Sequence, residues 1–97
     1  MIRHVVVFTW KPEATAEQAA EIADELRKLA STLPAVRSYA CGPDVRITDG
    51  NYDFAVTADF DDEAGYLSYR DNPSHREIIQ RLITPIIAGR AAVQYEF

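Results

Sequence analysis

A chain of 97 residues that is 47% hydrophobic makes one domain (residues 1–97) with one modest core, so a functional site has to sit on that core or between copies. A formal net charge of -5, with no cluster of lysine and arginine, repels phosphate backbones and anionic lipid and argues against nucleic acid and membrane partners. A single cysteine, Cys41, excludes an internal disulfide and a thiolate metal site and suits a reducing cytoplasm.

Ile2 to Trp10 is rich in β-branched and aromatic residues and has a period of two: Ile2, His4, Val6, Phe8 and Trp10 share one face, Arg3, Val5, Val7 and Thr9 the other. The run is short, lacks a small-residue cleavage site and is followed by Lys11 and Pro12, so it reads as a strand, not as a leader. No stretch approaches the ~20 apolar residues that span a bilayer. "TAEQ" is a capping box, Thr15 to Gln18, and it opens a helix whose apolar stripe is Ala19, Ile22, Ala23, Leu26, Leu29, Ala30 and Leu33, closed by Pro34. A second strand is expected over Val36 to Cys41, and "TDGN" turns the chain into a third, Tyr52 to Phe60, with Tyr52, Phe54, Val56, Ala58 and Phe60 on one face. "DFDDEAGYLSYRD" begins a short second helix with carboxylates at its positive end. Asn72 and Pro73 start a third, carrying Ile78, Ile79, Leu82 and Ile83, which Pro85 kinks or ends. "AAVQYEF", from Ala91 to Phe97, alternates as a last strand.

The order β-α-β-β-α-α-β predicts an α+β, ferredoxin-like split βαβ fold: an antiparallel four-stranded sheet with helices on one side. The first and last strands are apolar on both faces. A sheet left open on its second face would expose an apolar patch of several hundred Å², large enough to mark an interface. The expected partner is a second copy, sheet against sheet, closing an α/β barrel as a homodimer.

His75 falls at the third position of the last helix and heads its apolar stripe, so it points inward. The positive helix end and burial both disfavour imidazolium there, with Glu77 opposing, and the expected form is the neutral imidazole that a general base requires. Tyr69 ends the preceding helix, and a tight Asn-Pro junction brings its phenol toward His75, where it could donate to an oxyanion. His4 shares the inward face of the first strand. The residues leave two readings open: a buried, hydrogen-bonded structural set, or a base with a donor beside an apolar pocket lined by Val6, Phe8, Phe54 and Ile79. Asp53, Asp59, Asp61 and Asp62 are close in sequence, but two lie on a strand face and two are placed as helix caps, so no metal site is expected. Cys41 has no neighbour that would depress its pKa and reads as a small strand residue.

"RHVVVF", "YDFAVTADF" and "YLSYRDNPSH" together resemble the stress-responsive dimeric α/β-barrel (Dabb) family, across nearly the whole chain. The most specific elements are His4 in a Val-rich strand and the segment holding Tyr69, Pro73 and His75. The resemblance implies a ferredoxin-like monomer that dimerises through its sheets. Similarity to the family's plant polyketide cyclases in this segment implies aldol-type ring closure of a poly-β-ketoacyl chain. His75 would remove the proton, Tyr69 would hold the enolate oxygen, His4 would line the pocket, and neither cofactor nor metal would be needed. The chain departs from those cyclases at Asn72, where they have histidine, and at Ala23 and Leu26, where they have aromatic pocket residues. Two other readings are a non-catalytic stress or assembly protein, and a related antibiotic-biosynthesis-type monooxygenase using Trp10 and Tyr52.

Overall fold

Pairing between distant strands organises the chain. The computed structural model describes Met1 to Phe97 and runs β1 (Ile2–Trp10), α1 (Ala16–Ser31), β2 (Val36–Pro43), β3 (Phe54–Phe60), α2 (Glu63–Arg70), α3 (Pro73–Ile78), a π-helical turn (Ile79–Ile83) and β4 (Ile87–Glu96). All neighbouring strands are antiparallel, in the order β2-β3-β1-β4. With its helices on one side of the sheet, this is the ferredoxin-like α+β architecture.

The helix ends form where their side chains satisfy orphan backbone donors. Thr15 Oγ1 accepts from Gln18 N at 3.2 Å while Gln18 Oε1 accepts from Thr15 N at 2.8 Å, the reciprocal box. Asp62 accepts from Gly65 N at 2.9 Å and so opens α2. The stripe of α1 packs Ile22, Ala23 and Leu26 against Val6, Phe8, Phe54 and Val56 in the main core. A smaller cluster, Ala58, Phe60 and Tyr69, fills the other end of the sheet.

Element ends differ from the sequence expectation where tertiary pairing overrides local propensity. β4 starts at Ile87, not Ala91: the weak strand former Gly89 pairs with Thr9 and Ile87 with Trp10, and Ala88 is the extra residue of a bulge between them. β2 runs on through Gly42 and Pro43, which pair with Ala55 and Phe54. β3 starts at Phe54, and Tyr52 is exposed, not inward. The cause is Asp53, whose carboxylate accepts from Trp10 N and Arg46 Nη2, both at 2.7 Å, which turns the chain just before the ladder. The third helix changes pitch after Ile78: Thr84 N reaches back five residues to Ile79 O at 2.8 Å, and Pro85 follows in the turn.

The sheet's second face carries rows of small, mostly apolar side chains: Ala40, Thr57, Val5 and Val93 in one, Ala55, Val7 and Ala91 in the next. At one end lies a polar row, where Arg3 grips Asp59 through two hydrogen bonds of 2.7 and 2.9 Å and Ser38 adds a third at 2.6 Å. Phe97 covers the Arg3 guanidinium, 4.5 Å from its ring centroid. These donors, Arg3 first, hold the Asp59 carboxyl at about 2 against the opposing effect of desolvation. Its stabilising share is complete above the ordinary aspartate range near ~4 and is lost as pH falls through about 2. In urea titrations Asp59→Asn should lower the unfolding midpoint at about pH 6, and the gap from the parent should close as the pH approaches that acid limit.

Candidate active site

His75 is set by the junction that precedes it. Asn72 Oδ1 accepts from Ser74 N at 2.9 Å and from His75 N at 3.2 Å, and Pro73 takes the first helical position, so α3 starts in one orientation. The imidazole turns inward, its residue 9% exposed, against the Tyr69 ring with centroids 4.1 Å apart. His75 Nδ1 lies 3.3 Å from the Arg70 carbonyl oxygen. A carbonyl only accepts, so Nδ1 carries the proton and Nε2 keeps a free lone pair. Burial lowers the His75 pKa, the Arg70 carbonyl opposes this, and Arg76 adds a further lowering. Glu77 is engaged by Arg81 at 2.7 Å.

His4 has the opposite tautomer. Gln94, directly across on β4, donates from Nε2 to His4 Nδ1 at 2.7 Å, which leaves the His4 proton on Nε2. Burial first, then the nearby Arg90 and His75, lower its pKa to about 4, so this imidazole too is neutral at pH 7. The Tyr66 ring packs on it at 5.0 Å.

Tyr69 departs from expectation in one respect. Its ring faces His75, but its hydroxyl reaches β2 and lies 2.9 Å from the Tyr39 hydroxyl. Burial pushes Tyr69 up to about 12, and Tyr39 is raised as well. With Tyr39 donating, Tyr69 keeps its own O–H for a ligand oxygen.

These groups converge on a cavity of about 120 Å³ between sheet and helices. Of the residues expected from sequence, His4, Val6, Phe8, Tyr69, His75 and Ile79 line it together. Phe54 does not: it is 1% exposed and packed in the core, 5.6 Å from the Trp10 ring and 6.4 Å from that of Phe8. Leu26, Val56, Ile83, Ile87 and Arg90 complete the lining. Leu26 and Val56 already stood on the inward stripes of α1 and β3. Arg90 lies one residue before the strand that alternation predicts from Ala91, and nothing local in the sequence ties Tyr39 to Tyr69. The π turn brings both Ile79 and Ile83 to the chamber wall. A second hollow of about 170 Å³ shares His4, Tyr69, His75, Ile79 and Arg90 with the first and adds Tyr66, Arg70 and Arg76.

Trp10 and Tyr52 lie outside the chamber. Three of the aspartates considered for a metal are engaged elsewhere: Asp53 and Asp59 as described, and Asp61 with Arg37 at 3.0 Å. Asp62 serves as the cap of α2. Burial raises the Cys41 thiol, whose Sγ lies 3.7 Å from the Ala23 carbonyl oxygen. No helix is long and apolar enough to cross a membrane.

Comparison with curated protein sequences gave no match. Among solved structures, a dimeric ferredoxin-like protein of unknown function from Thermobifida fusca is 41% identical, with a TM-score of 0.91 over 99% of this chain and 90% of the other. A Dabb family protein from Mesorhizobium loti is 25% identical, with a TM-score of 0.79 over 99% and 95% of the two chains. The hydroxynitrile lyase of Passiflora edulis, at 18% identity, has a TM-score of 0.80 over 97% and 90%. The family model of the stress responsive A/B barrel domain matches residues 2–97, the span that holds every wall of the chamber, and the chain belongs to that family, Dabb.

Proposed function

We propose that this protein is a small-molecule enzyme that removes a proton from carbon next to a carbonyl, in the manner of a polyketide cyclase. The observation that carries this reading is the pair of complementary tautomers on one apolar chamber: His75 offers a lone pair and His4 an N–H. His75 Nε2 takes the proton, and the imidazolium keeps its Nδ1–H on the Arg70 carbonyl. The enolate oxygen accepts from His4 Nε2–H or Tyr69 O–H. The enolate carbon then attacks a second carbonyl of the same poly-β-ketoacyl chain, closing a ring, and the imidazolium returns its proton to the new alkoxide. Each of these steps uses only groups of this protein and of the substrate. One member of the fold is a hydroxynitrile lyase, which supports lyase-type chemistry on this scaffold. The test is proton exchange: small aryl ketones and β-keto thioesters in heavy water should exchange their α-protons faster with the protein, and His75→Ala should remove the acceleration.

A second reading has its own support, because Tyr69 and His75 each already have a partner in Tyr39 and Arg70. On that reading the group holds α2, α3 and β2 together, at about 1 kcal/mol per hydrogen bond. No exchange by the parent protein, together with a large loss of stability in His75→Ala, would favour it over catalysis.

The working unit in this proposal is a homodimer. The face carrying Val5, Val7 and Val93 is apolar, Val93, Tyr95 and Phe97 are 44–56% exposed, and the Thermobifida fusca relative is dimeric. Val5→Glu places a charge in the middle of that face, so the dimer should dissociate to a folded monomer in sedimentation experiments. An unchanged sedimentation coefficient would mean that the copies meet elsewhere.

A further inference from the structure

At neutral pH both histidines are uncharged, and Arg90 is then the only charged side chain on the wall of the 120 Å³ chamber. Its place is dictated by the register: it pairs with Phe8 across the β1–β4 ladder, and so projects on the helix side of the sheet with Ala92 and Gln94. Arg90 and His4 border the same two hollows, and the residue between Arg90 and Gln94 on this face, Ala92, adds only a methyl group. Arg90 borders the outer hollow as well, at the junction of the two spaces. Arg70 and Arg76, which also line that hollow, both reach Asp71, at 2.9 and 3.8 Å. Arg90 has no carboxylate within 4.0 Å. A guanidinium with no partner beside an apolar chamber leaves its planar fork of donors unused, the arrangement that suits a bidentate planar anion.

Building on the ligand site proposed above, we infer that Arg90 selects a carboxylate: the ligand is a compact monoanion whose carboxylate lies on Arg90 at the mouth. Its apolar body, with the reacting carbonyl, enters the chamber between His4 and His75. The chamber is close to the ~150 Å³ that holds a benzene ring in an apolar protein cavity. A planar carboxylate matches the fork of one guanidinium, whereas a phosphate dianion would leave a charge uncompensated on a single arginine. Arg90 is thus a specificity residue, separate from the proton transfer assigned to His75.

The test compares benzoate with its neutral isostere benzamide in NMR titrations of the full chain, with phenyl phosphate as a third probe. The parent should bind benzoate about tenfold or more tightly than benzamide, the usual scale for a charge-assisted pair of hydrogen bonds. Arg90→Gln should bring benzoate down to the benzamide level without changing benzamide, and Arg90→Lys should retain part of the preference. Arg90 is exposed, so both variants should melt with the parent. Equal binding of the two probes by the parent, or a preference that survives Arg90→Gln, overturns the charge assignment while leaving the chamber as a ligand site. Tighter binding of phenyl phosphate than of benzoate overturns the carboxylate. Binding of neither ring compound at His4, His75 and Ile79 overturns the site and the inference together.

Discussion

His75→Ala is expected to lower α-proton exchange by about 10² to 10⁴ fold, the usual range for a positioned general base. The substitution removes Nε2, the one free lone pair that a neutral imidazole presents to the chamber. It also leaves the Arg70 carbonyl without its partner and opens a gap beside the Tyr69 ring, so some loss of stability, about 1–2 kcal/mol, should accompany it. A urea titration of the variant separates the two effects. Folded protein at 25 °C with no exchange activity supports catalysis, whereas activity that falls only in proportion to the unfolded fraction argues for a structural histidine. The pH profile is a second check. Because burial lowers the His75 pKa, activity should rise with pH through a value below the ordinary ~6.5 and be flat at neutral pH. Tyr69→Phe removes only a hydroxyl and should cost less if His4 is the main donor to the enolate oxygen.

Phe54→Ala should be the most destabilising single substitution described here, by about 3–5 kcal/mol. The ring is 1% exposed and touches Phe8 and Trp10 where α1 meets the sheet. Phe54 is paired with Phe8 in the β1–β3 ladder, so the backbone around the vacated space is held and the site collapses only in part. Against the 5–15 kcal/mol that holds a typical domain together, such a loss shifts the urea midpoint well outside experimental error. The outcome also decides a point on which sequence and structure differ. If Phe54→Ala folds as well as the parent but changes which ring compounds bind, Phe54 lines the ligand site as its strand face suggested; if it destabilises without changing selectivity, it is core.

The difference between Phe54 and its neighbours shows what a period of two can convey. Alternation placed His4, Val6, Phe8, Phe54 and Val56 on one buried face, because inward and outward residues must alternate along a strand. It carried no information on which inward residues meet another side chain and which meet a gap. That depends on how α1, α3 and the π turn lie over the sheet. The Tyr69–Tyr39 bond was illegible for the same reason: its partners are thirty residues apart in sequence and on elements whose relative position is purely tertiary. Arg90 is illegible in the sequence because its strand extends back through Gly89 and the bulged Ala88, weak strand formers that only the pairing with Thr9 and Trp10 keeps extended.

By itself, the sequence determined the helix starts at Thr15 and Asn72, the inward turn of His75, the split βαβ order and the apolar second face of the sheet. Each of these follows from local chemistry, that is capping, periodicity and charge. Only the tertiary structure decided the opposite tautomers of His4 and His75, set by Gln94 across a ladder and by the Arg70 carbonyl across a helix junction. It alone put Arg90 at the mouth and left the chamber empty of side chains, since a cavity is the volume that packing between elements fails to fill.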